Sequence, residues 1–232
     1  MRYEVLSLFP GYFESPLAVS MLGRAQAKGL VEVGLVDIRD FSDRRHKQVD
    51  DRPYGGGPGM VLMAEPLLCA IRSVKRPSSL VIYLSPQGRP LNAERCAQLA
   101  RDEAHLVLVC GHYEGIDERV MELEEGEKVS IGDYVLTSGA PAAMVLIDAV
   151  SRFIPGVLGN EEAVKQDSFE GGEFDAPVYT RPLVVEGMEV PPVLCQGNHA
   201  RIADWRQKMA RRNRQRVRPD LEVKEGGRPR VE

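Results

Sequence analysis

The segment Asp50-Asp51-Arg52-Pro53-Tyr54-Gly55-Gly56-Gly57-Pro58-Gly59-Met60 holds four glycines and two prolines within eleven residues, behind an acid pair and beside an Arg. Glycine is permissive and proline removes a donor, so a helix or sheet interior would not choose this composition. The loop is expected to exist for its shape or its chemistry. Phosphate binding is the first chemistry to test. A P-loop requires G-x-x-x-x-G-K-[ST], and no Gly-Lys-Ser or Gly-Lys-Thr follows these glycines. A dinucleotide fingerprint requires G-x-G-x-x-G between a strand and a helix. The spacing here differs, and Pro58 lacks the amide that would hold phosphate. Both common phosphate readings fail.

Three further segments carry glycines and aromatic or polar side chains where strands should end: Tyr83-Leu84-Ser85-Pro86-Gln87-Gly88, Gly111 through Arg119, and Ser130 through Gly139. In open α/β sheets ligands bind beyond the carboxyl ends of strands, so three such loops could converge on one pocket. Each alone is more commonly plain punctuation after a strand; the three together suggest a site. Two candidates for proton transfer stand apart from them. Arg152 sits where a helix should end, and Asp167 lies in a polar stretch fifteen residues on. Without further information Arg152 is a cation completing a helix C-terminus, and Asp167 an exposed carboxylate.

The elements that must position these residues follow from hydrophobic patterning. Val5–Leu8, Val31–Val36, Leu80–Leu84 and Leu106–Cys110 are short apolar runs rich in β-branched residues, alternating with the helical segments Leu17–Lys28, Ala64–Lys75 and Leu91–Arg101. Such alternation predicts an α/β domain with a largely parallel sheet. Leu106–Cys110 is apolar on both faces and should be a covered central strand. A further helix is expected from Pro141 to about Phe153. From there the composition turns to acids and glycines, and the expected organisation is a domain over 1–159, a linker or lid over 160–176, and a small helical domain with a charged tail over 177–232.

Composition sets the outer bounds. Of 232 residues, 43% are hydrophobic and 28% charged, as in ordinary globular proteins. No apolar run approaches the ~20 residues of a spanning helix, and Met1–Pro10 lacks the pattern of a cleaved leader. The four cysteines are widely spaced and the four histidines show no metal-ligand spacing. These features predict a cytoplasmic protein with no membrane contact, no disulfide framework and no zinc site. The net charge of -4 conceals an asymmetry: residues 201–218 carry eight cations and one acid, or +7, leaving -11 elsewhere. That segment is either a polyanion contact or a solvated helix face.

Taken together, the blocks Val49–Met60, Tyr83–Gly88, Cys110–Arg119, Ser130–Leu136, Ser151–Gly159, Tyr179–Pro182 and Glu186–Leu194 give the chain a close resemblance to the bacterial tRNA (guanine-N1)-methyltransferases of the SPOUT class. The resemblance runs from Ser7 to about Trp205. It implies an α/β domain with a deep trefoil knot, a small helical C-terminal domain, and methylation of the guanosine at position 37, next to the anticodon. S-adenosylmethionine would lie bent in the knot, within a homodimer whose active sites draw on both subunits. Carried across by motif, Tyr83, Leu84, Ser85 and Pro86, then Gly111, Tyr113 and Glu114, then Ser130, Ile131, Gly132, Asp133, Tyr134, Val135, Leu136 and Gly139 would surround the cofactor. Asp167 would be the general base on guanine N1, and Arg152 would contact O6.

Asp50 would accept from a guanine edge, Arg52 would meet a phosphate, and Arg211, Arg212 and Arg214 would hold the anticodon stem-loop of tRNA. The resemblance also implies a magnesium ion whose ligands the spacing does not identify, although Glu114 and Asp167 are neighbours to consider. One block departs: Ser138-Gly139-Ala140-Pro141-Ala142 stands where many relatives have Gly-Gly-Glu-Leu-Pro. Two rivals remain: a related methyltransferase acting on another RNA position or on ribose, and a non-catalytic RNA-binding module of the same fold.

Overall fold

A strand that is apolar at every position needs cover on both faces, and β6 (His105–Cys110) has it, with all six residues buried. In the computed structural model, which describes residues 1–159, 168–169 and 174–221, β6 lies third in a five-stranded sheet of order β2-β1-β6-β5-β7. The partners are β1 (Arg2–Ser7), β2 (Glu32–Asp37), β5 (Leu80–Pro90) and β7 (Glu127–Ser130), and every pairing is parallel. The expected largely parallel α/β fold is therefore present. Alternation along β6 divides the core. Leu106, Leu108 and Cys110 pack with α1 (Glu14–Ala18), α2 (Ser20–Ala27), α4 (Ala93–Asp102) and α6 (Ala140–Ser151). Val107 and Val109 pack with α3 (Ala64–Val74) and α5 (Glu118–Leu123) on the other face.

Several elements differ from the expectation. The helix anticipated over 17–28 begins earlier and breaks at Val19, which is extended, with Ser20 at a positive φ of 55°. The acid pair of the glycine-rich segment is not loop: β3 (Asp50–Asp51) pairs antiparallel with β4 (Val61–Leu62), so the glycines form a hairpin tip. Ser85 to Gly88 do not follow a finished strand either. They are an excursion inside β5, where Leu84 and Arg89 both face Val129. β7 and α5 were not anticipated, because each is short and starts on charged residues.

The chain divides into two compact units, Met1–Gly159 and Asn160–Glu232. Most of the expected linker lies outside the described residues. Within the second unit, β8 (Val184–Val185) and β9 (Met188–Glu189) form a hairpin through Glu186-Gly187, both at positive φ. That is the backbone a two-residue turn of matching twist requires. The unit is thus not purely helical. Its main helix, α7 (His199–Val217), starts where the Asn198 side chain accepts from the Arg201 amide at 3.1 Å.

A polar cluster is buried at the amino end of the sheet. His105 Nδ1 is 2.6 Å from Ser79 Oγ, its Nε2 is 4.0 Å from Glu4 Oε1, and Glu4 accepts from Arg2 Nε at 2.6 Å. Burial pushes the His105 imidazole below its ordinary value; Arg76 and Arg2 act the same way and Glu4 opposes them. The unfolded chain, with a His pKa near ~6.5, therefore takes up the proton first, so stability is full above that pH and falls below it. Thermal melts across pH should show this acid-side loss in the wild type and a flatter profile in His105→Gln.

Candidate active site

At the carboxyl edge of the sheet the backbone leaves β5, β6 and β7 in three directions and encloses a cavity of about 370 Å³. That size lies within the range of small-molecule sites. Tyr83, Leu84, Ser85 and Pro86 line it from β5, Gly111, Tyr113 and Glu114 from beyond β6, and Ser130, Ile131, Gly132, Tyr134, Val135, Leu136 and Gly139 from beyond β7. Of the cofactor residues expected from the sequence, Asp133 alone is absent from the lining; it is exposed. Met121 on α5, Lys128 and Val129 on β7 and Ala142 on α6 also line the cavity. Met121, Lys128 and Val129 sit on elements that the hydrophobic pattern did not reveal, whereas Ala142 sits on the helix expected from Pro141.

Closure depends on a close backbone approach. The segment after β7 returns across the end of β6, where the Gly139 amide donates to Gly111 O at 2.8 Å. A Cβ on Gly139 would stand 2.8 Å from Gly111 N and 2.9 Å from Cys110 Cα, so only glycine fits unchanged. From this crossing α6 begins, with Pro141 in its first turn, where the missing donor costs nothing. The Ala140-Pro141-Ala142 departure is therefore accommodated as a helix start.

The glycine-rich hairpin is fastened to the same cavity. Glu114 N donates to Met60 O at 2.9 Å, Leu62 N to Gly115 O at 2.9 Å, and Asp117 N to Leu62 O at 3.0 Å. Gly59, at a φ of 79°, lies directly under the Glu114 side chain, which a Cβ would displace. Tyr113 holds a left-handed backbone with a φ of 59° and remains 44% exposed at the cavity mouth. Its phenol is raised above the ordinary value first by burial and then by the negative charge of Asp50. Asp50 is half-buried and Arg52 exposed.

Rings reinforce the wall. His112 meets Phe9 and Tyr113 edge-on, with centroids 5.4 and 4.6 Å apart. The Tyr83 hydroxyl donates to Glu124 O at 2.7 Å, and burial keeps it protonated. Glu124 is itself held by Arg72 Nε at 2.6 Å and Lys75 Nζ at 2.8 Å.

Of the two expected catalytic residues, only Arg152 is among the described residues, and it does not line this cavity. Arg152 caps the far end of α6, exposed and outside the lining. A helix of twelve residues is about 18 Å long, well beyond the reach of a side chain. Asp167 lies outside the described residues. In the second unit Arg211 and Arg212 are exposed, whereas Arg214 is buried and donates through Nη1 to Leu221 O. The expectation of three phosphate-facing arginines thus loses Arg214, which the helix uses to hold its own C-terminal extension. Among the described residues no group of three or more His, Cys, Asp or Glu side chains is close enough to hold a metal ion. No helix among them is long and apolar enough to cross a membrane.

A parallel α/β sheet with a ligand-sized cavity over its carboxyl edge defines an enzyme-like architecture, and comparison with known proteins gives it a family. Residues 1–224 match the family model described as tRNA (Guanine-1)-methyltransferase TrmD. A tRNA (guanine-N(1)-)-methyltransferase of Protochlamydia amoebophila is 61% identical over 221 residues, 95% of this chain and 99% of that protein. Proteins of the same description from Chlamydia pneumoniae and Chlamydia caviae are 58% and 54% identical over 95% and 97% of this chain. The alignments span 61% and 62% of those two longer relatives. The chain belongs to the tRNA (guanine-1)-methyltransferase family of enzymes.

The crossing at Gly139 generates a direct test. Gly139→Ala should destabilise the fold by about 1–3 kcal/mol through overpacking against Gly111 and Cys110. Urea denaturation should report this as a lower midpoint with an unchanged slope.

Proposed function

We propose that the chain transfers a methyl group from S-adenosylmethionine to N1 of guanosine 37 of tRNA, beside the anticodon, in the cytoplasm. The observation that carries the reading is the joining of the cavity to the hairpin: the Met60 and Leu62 backbone is bonded to the same 114–117 segment that forms the cavity wall. A small-molecule site and a candidate base-framing element thus share one rigid strip. The cavity also suits the cofactor. A Cβ on Gly139 would intrude on Gly111, Ile131, Gly132, Tyr134, Val135 and Leu136 line the cavity, and Glu114 supplies a carboxylate for an ammonium group. The bound cofactor contributes an electrophilic methyl; the remaining work falls to this chain's residues.

Neutral guanine holds a proton on N1, so its lone pair becomes available only when a base removes that proton. Asp167 fills this role in our reading, although a carboxylate near pKa ~3.9 is a weak base for the task. Arg152 on O6 narrows the gap by stabilising the enolate-like charge as the proton leaves. Such general-base help is worth about 10²–10⁴ in rate. Because Arg152 lies at the end of α6 away from its own cavity, a second copy supplies it in our reading, and the working unit is a homodimer with shared sites. The exposed apolar side chains Val135 and Val145, 83% and 47% accessible, favour such a contact. The return of residues 131–139 across Gly111 is the crossing that a trefoil knot would use.

Incubation with S-adenosylmethionine and unmodified tRNA, followed by nucleoside mapping, should yield 1-methylguanosine at position 37. Methylation at another position, on ribose, or nowhere would overturn the reading. Asp167→Asn should lose nearly all single-turnover activity while cofactor affinity persists. The basic helix makes a separate claim. Replacing Arg211 and Arg212 with Gln should weaken tRNA binding and lower its salt slope by about 2, near one unit per phosphate contact. Arg214→Gln should instead lower the melting temperature, since its partner is the carbonyl of Leu221.

A further inference from the structure

The second unit contains a cavity of its own, of about 470 Å³, that plays no part in the chemistry above. Leu183, Val190, Leu194 and Ile202 give it an apolar floor, and Tyr179 forms an aromatic wall. Tyr179 is half exposed and is backed by Trp205, with ring centroids 6.3 Å apart. Arg181 and Arg206 stand at the rim. Arg206 follows Ile202 by one helical turn, so α7 presents floor and cation on one side.

Among the described residues the charges around this cavity are not balanced locally. Three other cations of the region have partners: Lys208 pairs with Asp204 at 2.9 Å, Arg218 with Asp220 at 2.7 Å, and Arg214 with the Leu221 carbonyl. Arg181 and Arg206 have no carboxylate partner among the described residues. An apolar floor alone would suit any hydrophobe. Two guanidinium groups with no described carboxylate partner add a demand for an anion, and a half-exposed ring adds a surface for stacking. One ligand class meets all three conditions: a nucleotide, with a flat base and a phosphate at each side. A lipid chain would leave the guanidinium groups unused, and an acidic peptide would leave the aromatic wall unused.

We infer that this cavity takes one unstacked nucleotide of the tRNA other than the methylated guanosine, with its base against Tyr179 and its phosphates on Arg181 and Arg206. The inference rests on the proposed tRNA substrate and extends it to a second base-holding site. The enzyme then grips the anticodon loop at two separate nucleotides, one for chemistry and one for registration.

The test pairs protein variants with RNA lacking one base at a time. Anticodon stem-loop RNAs, each abasic at a single loop position, are titrated onto full-length wild type, Tyr179→Ala, Tyr179→Phe and Arg206→Gln. Wild type should show one position, apart from the methylated one, where base removal weakens binding about tenfold or more. That penalty should vanish in Tyr179→Ala and persist in Tyr179→Phe, the sign that base and ring contact each other. Arg206→Gln should lower the salt slope by about 1 and leave cofactor affinity unchanged. This second arm stands even if Tyr179→Ala proves poorly folded. Additive penalties at every position, or an unchanged salt slope in Arg206→Gln, overturn the inference. If wild type methylates guanosine 37 while the penalties are additive, only the second site falls. If wild type binds no tRNA, the underlying reading falls with it.

Discussion

The hydrogen bond from the Gly139 amide to the Gly111 carbonyl is the constraint on which the rest of the site depends. It brings the segment leaving β7 back over the end of β6, and so turns three strand ends into one enclosure. The approach is closer than a side chain permits, which is why glycine stands there. The same crossing sets the starting point of α6, and the length of α6 then fixes how far Arg152 lies from the cavity. One backbone contact thereby bears on both the shape of the cavity and the position of Arg152 at the far end of α6.

The hairpin depends on that enclosure in turn. Its tip has few internal contacts, yet Met60 and Leu62 are bonded to Glu114, Gly115 and Asp117. Those bonds make the position of the hairpin a function of the cavity wall. Any shift of the wall on ligand binding must be felt at Gly59 and Met60, because the Glu114 side chain rests on Gly59. Energetic coupling between two sites requires an element that both bias, and a strip bonded to the hairpin on one side and lining the cavity on the other has the geometry for it.

The second unit follows a different logic. Its helix α7 is strongly basic, but its cations are not equivalent. Arg214 satisfies a carbonyl, Lys208 and Arg218 are paired with acids, and Arg181 and Arg206 flank an aromatic-walled cavity. A run of positive charge therefore divides into a structural group, acid-paired groups and outward-facing groups, and the last include Arg211 and Arg212 besides Arg181 and Arg206.

The sequence by itself determined the α/β class, the four principal strands and most of the helices, because burial on two faces leaves a continuous apolar run and an amphipathic helix leaves a periodic one. The three loops of the cavity were also legible, since glycine clusters after apolar strands mark backbone that approaches a ligand. Tertiary structure decided the rest. β7 and α5 are too short for a pattern, and their place is fixed by pairing with β5 and packing under α3. The pairing of Asp50–Asp51 with Val61–Leu62 needs a partner that composition does not name. That Arg214 faces inward while Arg211 and Arg212 face water depends on where Leu221 lies. Arg152 matches a family motif in sequence, but its separation from its own chain's cavity is a matter of helix length and direction. Types and periods are written along the chain; distances between residues far apart in it exist only once it has folded.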